Sequence, residues 1–176
     1  MDNRIRLCCP CHFGLESVLK YEIMKIGGTD LRVSDGKISF MGDENIIARA
    51  NICLSVAERV LIELAEFKAV TFEELFQGVS IYLDTSGIGL HKRGYRRNSN
   101  TAPIKETLAA GMIDLARVRP DSIVCDPFCG SGTILIESAL KALRIAPGIN
   151  RRFAAEKWSS LNSELWREER ARAIDN

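Results

Sequence analysis

The chain has 176 residues and a formal net charge of +1, with 46% hydrophobic and 27% charged residues. This composition is that of an ordinary globular protein, and it excludes a chain that binds nucleic acid through a strongly basic overall charge. The sequence contains no run of 18 or more apolar residues, so we predict no membrane span. Residues 1–14 also lack the apolar core of a secretory signal.

The first eighty residues predict the element order β-α-β-β-α-β. Strands are predicted at residues 4–9, at LRV and KISFM on either side of Ser34-Asp35-Gly36, and within ERVLIELAEFKA; helices are predicted at 14–26, from Asp43 to about 53, and at 71–77. This order is that of a ferredoxin-like α+β domain, for which we expect one antiparallel sheet with two helices on one face. The residues expected in its core are Val18, Leu19, Ile23, Ile47, Val60, Ile62 and Leu64.

The second half of the chain begins with a further strand, SIYLDTSG, and then a polar, basic stretch, HKRGYRRNSN, which we interpret as an exposed linker. Helices are predicted at 103–117, from Gly132 to about 143, and in the charged tail LNSELWREERARAID. Between the first two lies SIVCD (122–126), interpreted as a short buried strand. A strand, a glycine-rich turn and a helix in this order begin a Rossmann-type α/β unit.

The turn itself, DPFCGSGT, lies where the strand meets the helix. Its glycines allow a ligand to approach the backbone, and the start of the following helix offers unpaired N–H groups to an anion. A phosphate-binding P-loop would need a lysine after Gly132, and a dinucleotide fingerprint would need a glycine at Leu135; both are absent. The carboxylate of an amino-acid ligand requires only one or two glycines and the start of a helix. Asp126 can accept a hydrogen bond from the ammonium group of the same ligand. We therefore predict that the turn binds the methionine end of S-adenosylmethionine; the alternative is a purely structural strand–helix turn.

The six cysteines are Cys8, Cys9, Cys11, Cys53, Cys125 and Cys129. Cys8 and Cys11 form a C-x-x-C pair, but a structural zinc site needs a second ligand pair, which His12 and His91 do not supply. We expect no metal site and free thiols in a reducing, cytoplasmic setting. The other candidate groups have ordinary interpretations: His91 and Glu106 are expected at the surface, and Trp158 and Trp166 in core packing.

DPFCGSGT followed by ILIESAL closely resembles the cofactor-binding motif of the THUMP-containing, AdoMet-dependent methylases that modify guanine N2 in large-subunit ribosomal RNA. Three further stretches are similar to this family: LDTSGIGLHKRGYRR (83–97), TAPIKETLAAGMIDLA (101–116) and IAPGINRRFAAEKW (145–158). The resemblance implies a cytoplasmic RNA methyltransferase that uses S-adenosylmethionine. The cofactor-binding residues it implies are Asp126, Pro127, Phe128, Cys129, Gly130, Ser131, Gly132 and Thr133.

The sequence departs from this family in two ways. TFEELFQGV runs directly into SIYLDTSG, where the family would place the body of its RNA-binding THUMP domain. The chain also has no N-P-P-[YF] motif, which in the family holds the target amino group, so we assign no catalytic residue. We expect a truncated enzyme that is inactive alone; the alternative is a non-catalytic remnant that binds RNA or a partner.

These considerations divide the chain into a ferredoxin-like domain with a THUMP remnant (1–80), a linker (81–100) and the incomplete beginning of a Rossmann-like methyltransferase domain (101–176). The basic stretch of the linker is the predicted RNA contact, because its cations can face phosphates while its aromatic ring stacks on a base. The residues predicted to contact RNA are Lys92, Arg93, Tyr95, Arg96 and Arg97. The expected partner is large-subunit ribosomal RNA, with no membrane and no metal.

Overall fold

The computed structural model describes residues 4–65, 80–96 and 103–175. The strands are β1 (Ile5–Pro10), β2 (Thr29–Ser34), β3 (Lys37–Gly42), β4 (Leu61–Ala65) and β5 (Ile81–Asp84). The helices are α1 (Glu16–Ile26), α2 (Glu44–Cys53), α3 (Glu106–Leu115), α4 (Thr133–Ala142) and α5 (Ser163–Asp175), with a 3-10 turn at Ala154–Lys157. The predicted helix at 71–77 and the predicted RNA contact Arg97 lie outside the described residues.

The five strands form one sheet in the order β2-β3-β1-β4-β5, and every neighbouring pair is antiparallel. The first four strands with α1 and α2 confirm the predicted ferredoxin-like domain. β5 adds to the β4 edge, where Asp84 lies opposite Leu61, so the sheet continues into the segment predicted as a linker. No helix in the described parts of the chain has the length and hydrophobicity needed to cross a membrane.

Both ferredoxin-like helices pack on one face of the sheet, because alternate residues of its central strands join the same core as the helices. Leu7 of β1 and Phe40 of β3 are fully buried in this core with Leu19 of α1 and Ile47 of α2. α1 ends where Gly27 takes a left-handed φ of 100° and the Gly28 amide donates to the Ile23 carbonyl. This turn brings the backbone so close to the core that a Cβ at position 28 would lie 2.5 Å from Ile23 Cγ2.

The sequence correctly predicts most of the core positions. Leu19, Ile23, Ile47 and Val60 are fully buried, and Val18 and Ile62 pack against them in part. The prediction is wrong for Leu64, which is exposed. β1 pairs with β4 only at Leu61 and Ile62, so Leu64 extends past the part of the sheet that the helices cover.

The later helices return to the ferredoxin-like domain. Gly111 of α3 approaches Leu15 so closely that a Cβ there would lie 2.4 Å from the leucine Cδ1. α5 packs on α2, where Arg49 Nε and Nη2 donate to the Glu169 carboxylate at 2.7 and 2.6 Å. The predicted core position of Trp166 is confirmed, since its ring stacks on Phe153 with centroids 5.5 Å apart. One hydrophobic core therefore includes residues from both halves of the chain.

The prediction of a buried strand at 122–126 is wrong. These residues form no strand, and Ile123 is fully exposed. An extended segment becomes a strand only when neighbouring backbone groups pair with it, and no described residue does so here. All five strands of the described chain belong to the ferredoxin-like sheet, so the segment enters the glycine loop as an unpaired stretch.

Candidate functional site

The glycine loop connects this unpaired segment to α4 through two left-handed positions. Gly130 and Gly132 have φ values of 53° and 73°, and Gly132 is the N-cap of α4. Side chains with a Cβ rarely adopt this conformation, which explains the glycines at both positions. Asp126 Oδ1 accepts a hydrogen bond from the Phe128 amide at 3.1 Å, and this contact fixes the carboxylate at the start of the turn.

The loop presents the N-terminus of α4 at its far end. The first amides of a helix have no partner within it, and the helix dipole adds a partial positive charge there. Ser131 Oγ and Thr133 Oγ1 lie 3.2 Å apart beside these amides. The Gly132 amide donates within the turn, to the Cys129 carbonyl at 2.7 Å. The acidic group at the entry and the amides at the start of α4 can hold a zwitterionic amino-acid moiety, which is the chemistry predicted for this loop. Pro127, Phe128, Cys129 and Gly130 lie exposed along it.

Arg96 forms a wall of this loop that the sequence did not reveal. Its Nη2 donates to Thr133 Oγ1 at 2.8 Å and to the Ile104 carbonyl at 3.0 Å, and it lies 3.4 Å from Glu106 Oε1. The guanidinium therefore joins the start of α4 to the residues that enter α3. The expectation that Glu106 is at the surface is wrong, because this pairing buries its carboxylate.

Arg93 and Tyr95 are held against α4 one turn further along. Arg93 Nε lies 3.4 Å from Glu137 Oε1, and Tyr95 donates its hydroxyl to the same oxygen at 2.9 Å. The side chains of Arg93 and Glu137 are each only 2% exposed. Burial raises the pKa of Glu137 despite the arginine, and burial beside this carboxylate raises the pKa of Tyr95. The prediction of an exposed linker is wrong here, whereas Lys92 of the same stretch is exposed.

A chain of polar contacts continues from Arg93 into the ferredoxin-like domain. Arg93 Nη2 donates to the Ser55 carbonyl at 2.5 Å, and Nη1 donates to the Leu90 carbonyl at 2.7 Å. The amides of Ser55 and Val56 donate in turn to the Glu22 carboxylate on α1, at 3.1 to 3.3 Å. Burial outweighs these donors and raises the pKa of Glu22 to about 7. The position of α4 is thus coupled to α1 through contiguous hydrogen bonds.

Both histidines of the chain converge on one carboxylate, Glu58. His12 Nε2 and His91 Nδ1 lie 3.2 and 3.4 Å from its two oxygens, and Lys105 Nζ lies 3.5 Å away. Burial opposes ionisation of Glu58, but the Thr107 hydroxyl and the Lys105 charge lower its pKa. The expectation that His91 is solvated is wrong, because it is partly buried against this carboxylate and burial lowers its pKa.

The cysteines are all free thiols. Cys8, Cys9 and Cys11 are buried, whereas Cys125 and Cys129 of the loop segment are exposed. Across residues 4–65, 80–96 and 103–175, no group of three or more His, Cys, Asp or Glu residues is arranged to hold a metal ion.

Comparison with protein families identifies both parts of the chain. Residues 6–61 match the family model described as the RlmL ferredoxin-like domain, and residues 93–176 match the model described as UPF0020, an RMKL-like methyltransferase domain. A curated relative is YpsC from Bacillus subtilis (strain 168), named as a predicted RNA methyltransferase. It is 34% identical over 241 positions, which cover 96% of this chain and 62% of YpsC.

Solved structures of methylases are similar to this chain over nearly its whole length. A predicted N6-adenine-specific DNA methylase from Listeria monocytogenes is 33% identical with a TM-score of 0.89, over 98% of this chain and 64% of that one. SMU.472, a predicted methyltransferase solved with SAH, is 30% identical with a TM-score of 0.87, over 99% of this chain and 65% of that one.

The chain spans less than two thirds of the length of these relatives. The match with YpsC extends over 241 positions, whereas 96% of 176 residues is about 169, so about 70 of those positions have no residue in this chain. The two family models leave residues 62–92 unmatched between them. With its ferredoxin-like domain followed by part of a methyltransferase domain, the chain belongs to the RlmL-like family of methyltransferases.

Proposed function

We propose that this chain carries the methionine-binding part of an AdoMet-dependent RNA methyltransferase. The observation that carries the proposal is the loop at residues 126–133, where a fixed carboxylate precedes two left-handed glycines and a helix N-terminus. Asp126 would hold the ammonium group of the cofactor, and the amides near Gly130–Thr133 would hold its carboxylate. S-adenosylmethionine supplies the methyl group when bound; the residues of this chain bind and orient its amino-acid end.

The substrate we propose is RNA, with guanine N2 of large-subunit ribosomal RNA as the target. The name of YpsC supports RNA, whereas the Listeria relative is described as a DNA methylase. A direct comparison of the two polymers as methyl acceptors decides between them. We retain Lys92 and Arg97 as proposed RNA contacts; Arg93, Tyr95 and Arg96 belong to the same prediction, but their side chains hold α4 in place.

We further propose that the chain is inactive alone. Methyl transfer to an exocyclic amine requires an acceptor for the amine hydrogens and precise positioning, and the N-P-P-[YF] motif expected to provide them is missing from this sequence. Two observations support the proposed loss of the THUMP body: about 70 aligned positions of YpsC have no counterpart in this chain, and residues 62–92 match neither family model. The second candidate function is a non-catalytic remnant that binds RNA or a partner, and the missing motif supports it as well.

We propose that residues 1–80 form the ferredoxin-like domain with a THUMP remnant, 81–100 the linker and 101–176 the partial methyltransferase domain. The linker also has a structural role, since β5 extends the sheet and its later side chains hold α4. A cytoplasmic location fits the six free thiols, since disulfides are rare in reducing compartments.

The test is an assay with a labelled methyl donor, in which the chain is offered ribosomal RNA and duplex DNA in parallel, while SAH binding is followed by saturation-transfer NMR. We expect SAH to bind weakly and neither polymer to be methylated. Asp126→Ala should weaken SAH binding by roughly 10- to 100-fold, because a charge-assisted hydrogen bond is lost. Asp121→Ala removes an exposed aspartate just outside the loop and should leave binding unchanged.

Turnover on RNA by the chain alone would contradict its proposed inactivity, and turnover on DNA alone would contradict the proposed substrate. SAH binding that is equal in Asp126→Ala and Asp121→Ala would contradict the assignment of the loop.

A further inference from the structure

A cavity of about 700 Å³ opens between the ferredoxin-like helices and the methyltransferase helices. Its walls come from the C-terminal halves of α1, α3 and α4, from α2 and from α5. Within α4 it is lined by Glu137, Leu140 and Lys141, so it begins about one helical turn, or about 6 Å, beyond Thr133 at the end of the glycine loop. The volume falls within the range of sites that hold small molecules or single nucleotides.

Three of the cations that line this cavity have no partner among the described residues. The side chains of Lys25, Arg119 and Arg144 are exposed, and they form no hydrogen bond or ion pair with the described residues. They come from three places, the end of α1, the turn after α3 and the turn after α4. Their convergence therefore does not follow from a single charged helix face.

Three of the four acidic side chains that line the cavity are paired with cations, and the fourth, Glu22, is held by backbone amides. Asp114 binds Lys141, and Glu169 accepts two hydrogen bonds from Arg49. Glu137 binds Arg93, and Glu22 accepts hydrogen bonds from backbone amides. The lining contains six cationic side chains against these four acids, so its net charge is positive; the cations are Lys25, Arg49, Arg119, Lys141, Arg144 and Arg172.

An exposed aromatic ring completes the arrangement. Tyr21 is 70% exposed on α1 and lines the cavity, one helical turn before Lys25. Apolar side chains, including Ile26, Ile113 and Leu140, form the inner walls. Cations that can follow a phosphate backbone, beside an aromatic face on which a base can stack, are the features by which proteins hold single-stranded nucleic acid.

We infer that this cleft binds a single-stranded segment of RNA, with phosphates at Lys25, Arg119 and Arg144 and a base against Tyr21. The inference rests on the proposed RNA substrate and adds a second contact region, which extends from the middle of α4 to the turn after it. Because we propose that the THUMP body is missing, this cleft would be a second region through which the chain binds RNA.

The first experiment measures anisotropy of a fluorescent oligo(U) strand of twelve nucleotides from about 20 to 200 mM salt. Each phosphate contact on a single strand contributes about 0.7 to the slope of log K against log salt. The triple variant Lys25→Gln, Arg119→Gln, Arg144→Gln should therefore flatten the slope by about 2. A matched control, Lys20→Gln, Arg32→Gln, Lys157→Gln, changes the net charge equally at exposed positions that do not line the cavity. It should keep the original slope.

The second experiment tests the aromatic contact. Tyr21→Ala should weaken oligo(U) binding roughly tenfold, whereas Tyr21→Phe keeps the ring and should bind like the unchanged protein. Uridine monophosphate should bind far more weakly than the strand; equal affinity would overturn RNA as the occupant. Equal slopes for the triple variant and its control would overturn the cleft as a phosphate site. SAH binding is read separately, so loss of RNA binding with intact SAH binding distinguishes this inference from the proposed function.

Discussion

Replacing Arg93 with methionine tests whether the basic stretch before α3 is structural. The change keeps most of the volume of the side chain but removes the charge opposite Glu137 and the donors to Ser55 and Leu90. Removing one partner of a buried ion pair costs about 3–5 kcal/mol, since the other charge stays buried without compensation. Globular domains are stable by about 5–15 kcal/mol, so this single change should remove a large share of the free energy of unfolding.

Urea unfolding followed by circular dichroism measures this cost. With a slope of about 2 kcal/mol/M, a loss of about 4 kcal/mol lowers the midpoint by about 2 M. The double variant Arg93→Met, Glu137→Met removes both charges and should be more stable than Arg93→Met. Arg152→Met is the control, because this arginine is 88% exposed in its pair with Glu156 and should cost less than about 1 kcal/mol. A midpoint shift as small as that of the control, or a double variant less stable than Arg93→Met, would refute the reasoning.

Two further predictions concern the ferredoxin-like domain. The pKa of Glu22 is about 7 in the folded chain and near 4.5 when unfolded, so the folded state binds more protons between these values and stability falls as pH rises through that window. Glu22→Gln should remove this loss, about 1–3 kcal/mol between pH 5 and 8 at 1.36 kcal/mol per pKa unit, and parallel stability profiles for both proteins would contradict it. Asp43→Ala should lower stability by about 1 kcal/mol in urea unfolding, because Asp43 Oδ1 accepts the Ile46 amide at 2.9 Å; Asp43→Asn retains an acceptor and should cost much less. An equal cost for both substitutions would argue against the cap.

The sequence predicts the local features of this fold well, because short-range rules determine them. The cap at Asp43, the glycine stop after α1 and the helix that begins after Gly132 depend only on neighbouring residues. The strand predicted at 122–126 fails for the opposite reason, since an extended segment needs partners from elsewhere in the chain. Apolar alternation alone cannot reveal whether those partners are present.

In the candidate site, too, the local features could be predicted from the sequence and the long-range contacts could not. The glycines of the loop are recognisable in the sequence because their spacing is local. The arginines at 93 and 96 read as an exposed basic run, and only the fold reveals the buried carboxylates Glu137 and Glu106 that face them. These partners lie 44 and 10 residues away, so no local pattern could identify the pairs.

The most direct test of the central assignment is an amide chemical-shift titration of the labelled chain with SAH at millimolar concentration. We expect the largest shifts on the amides of Gly130 to Thr133, and we expect Asp126→Ala to reduce them strongly while Asp121→Ala does not. Shifts that are absent from the loop, or that are equal in both variants, would contradict the claim that this turn holds the methionine end of the cofactor.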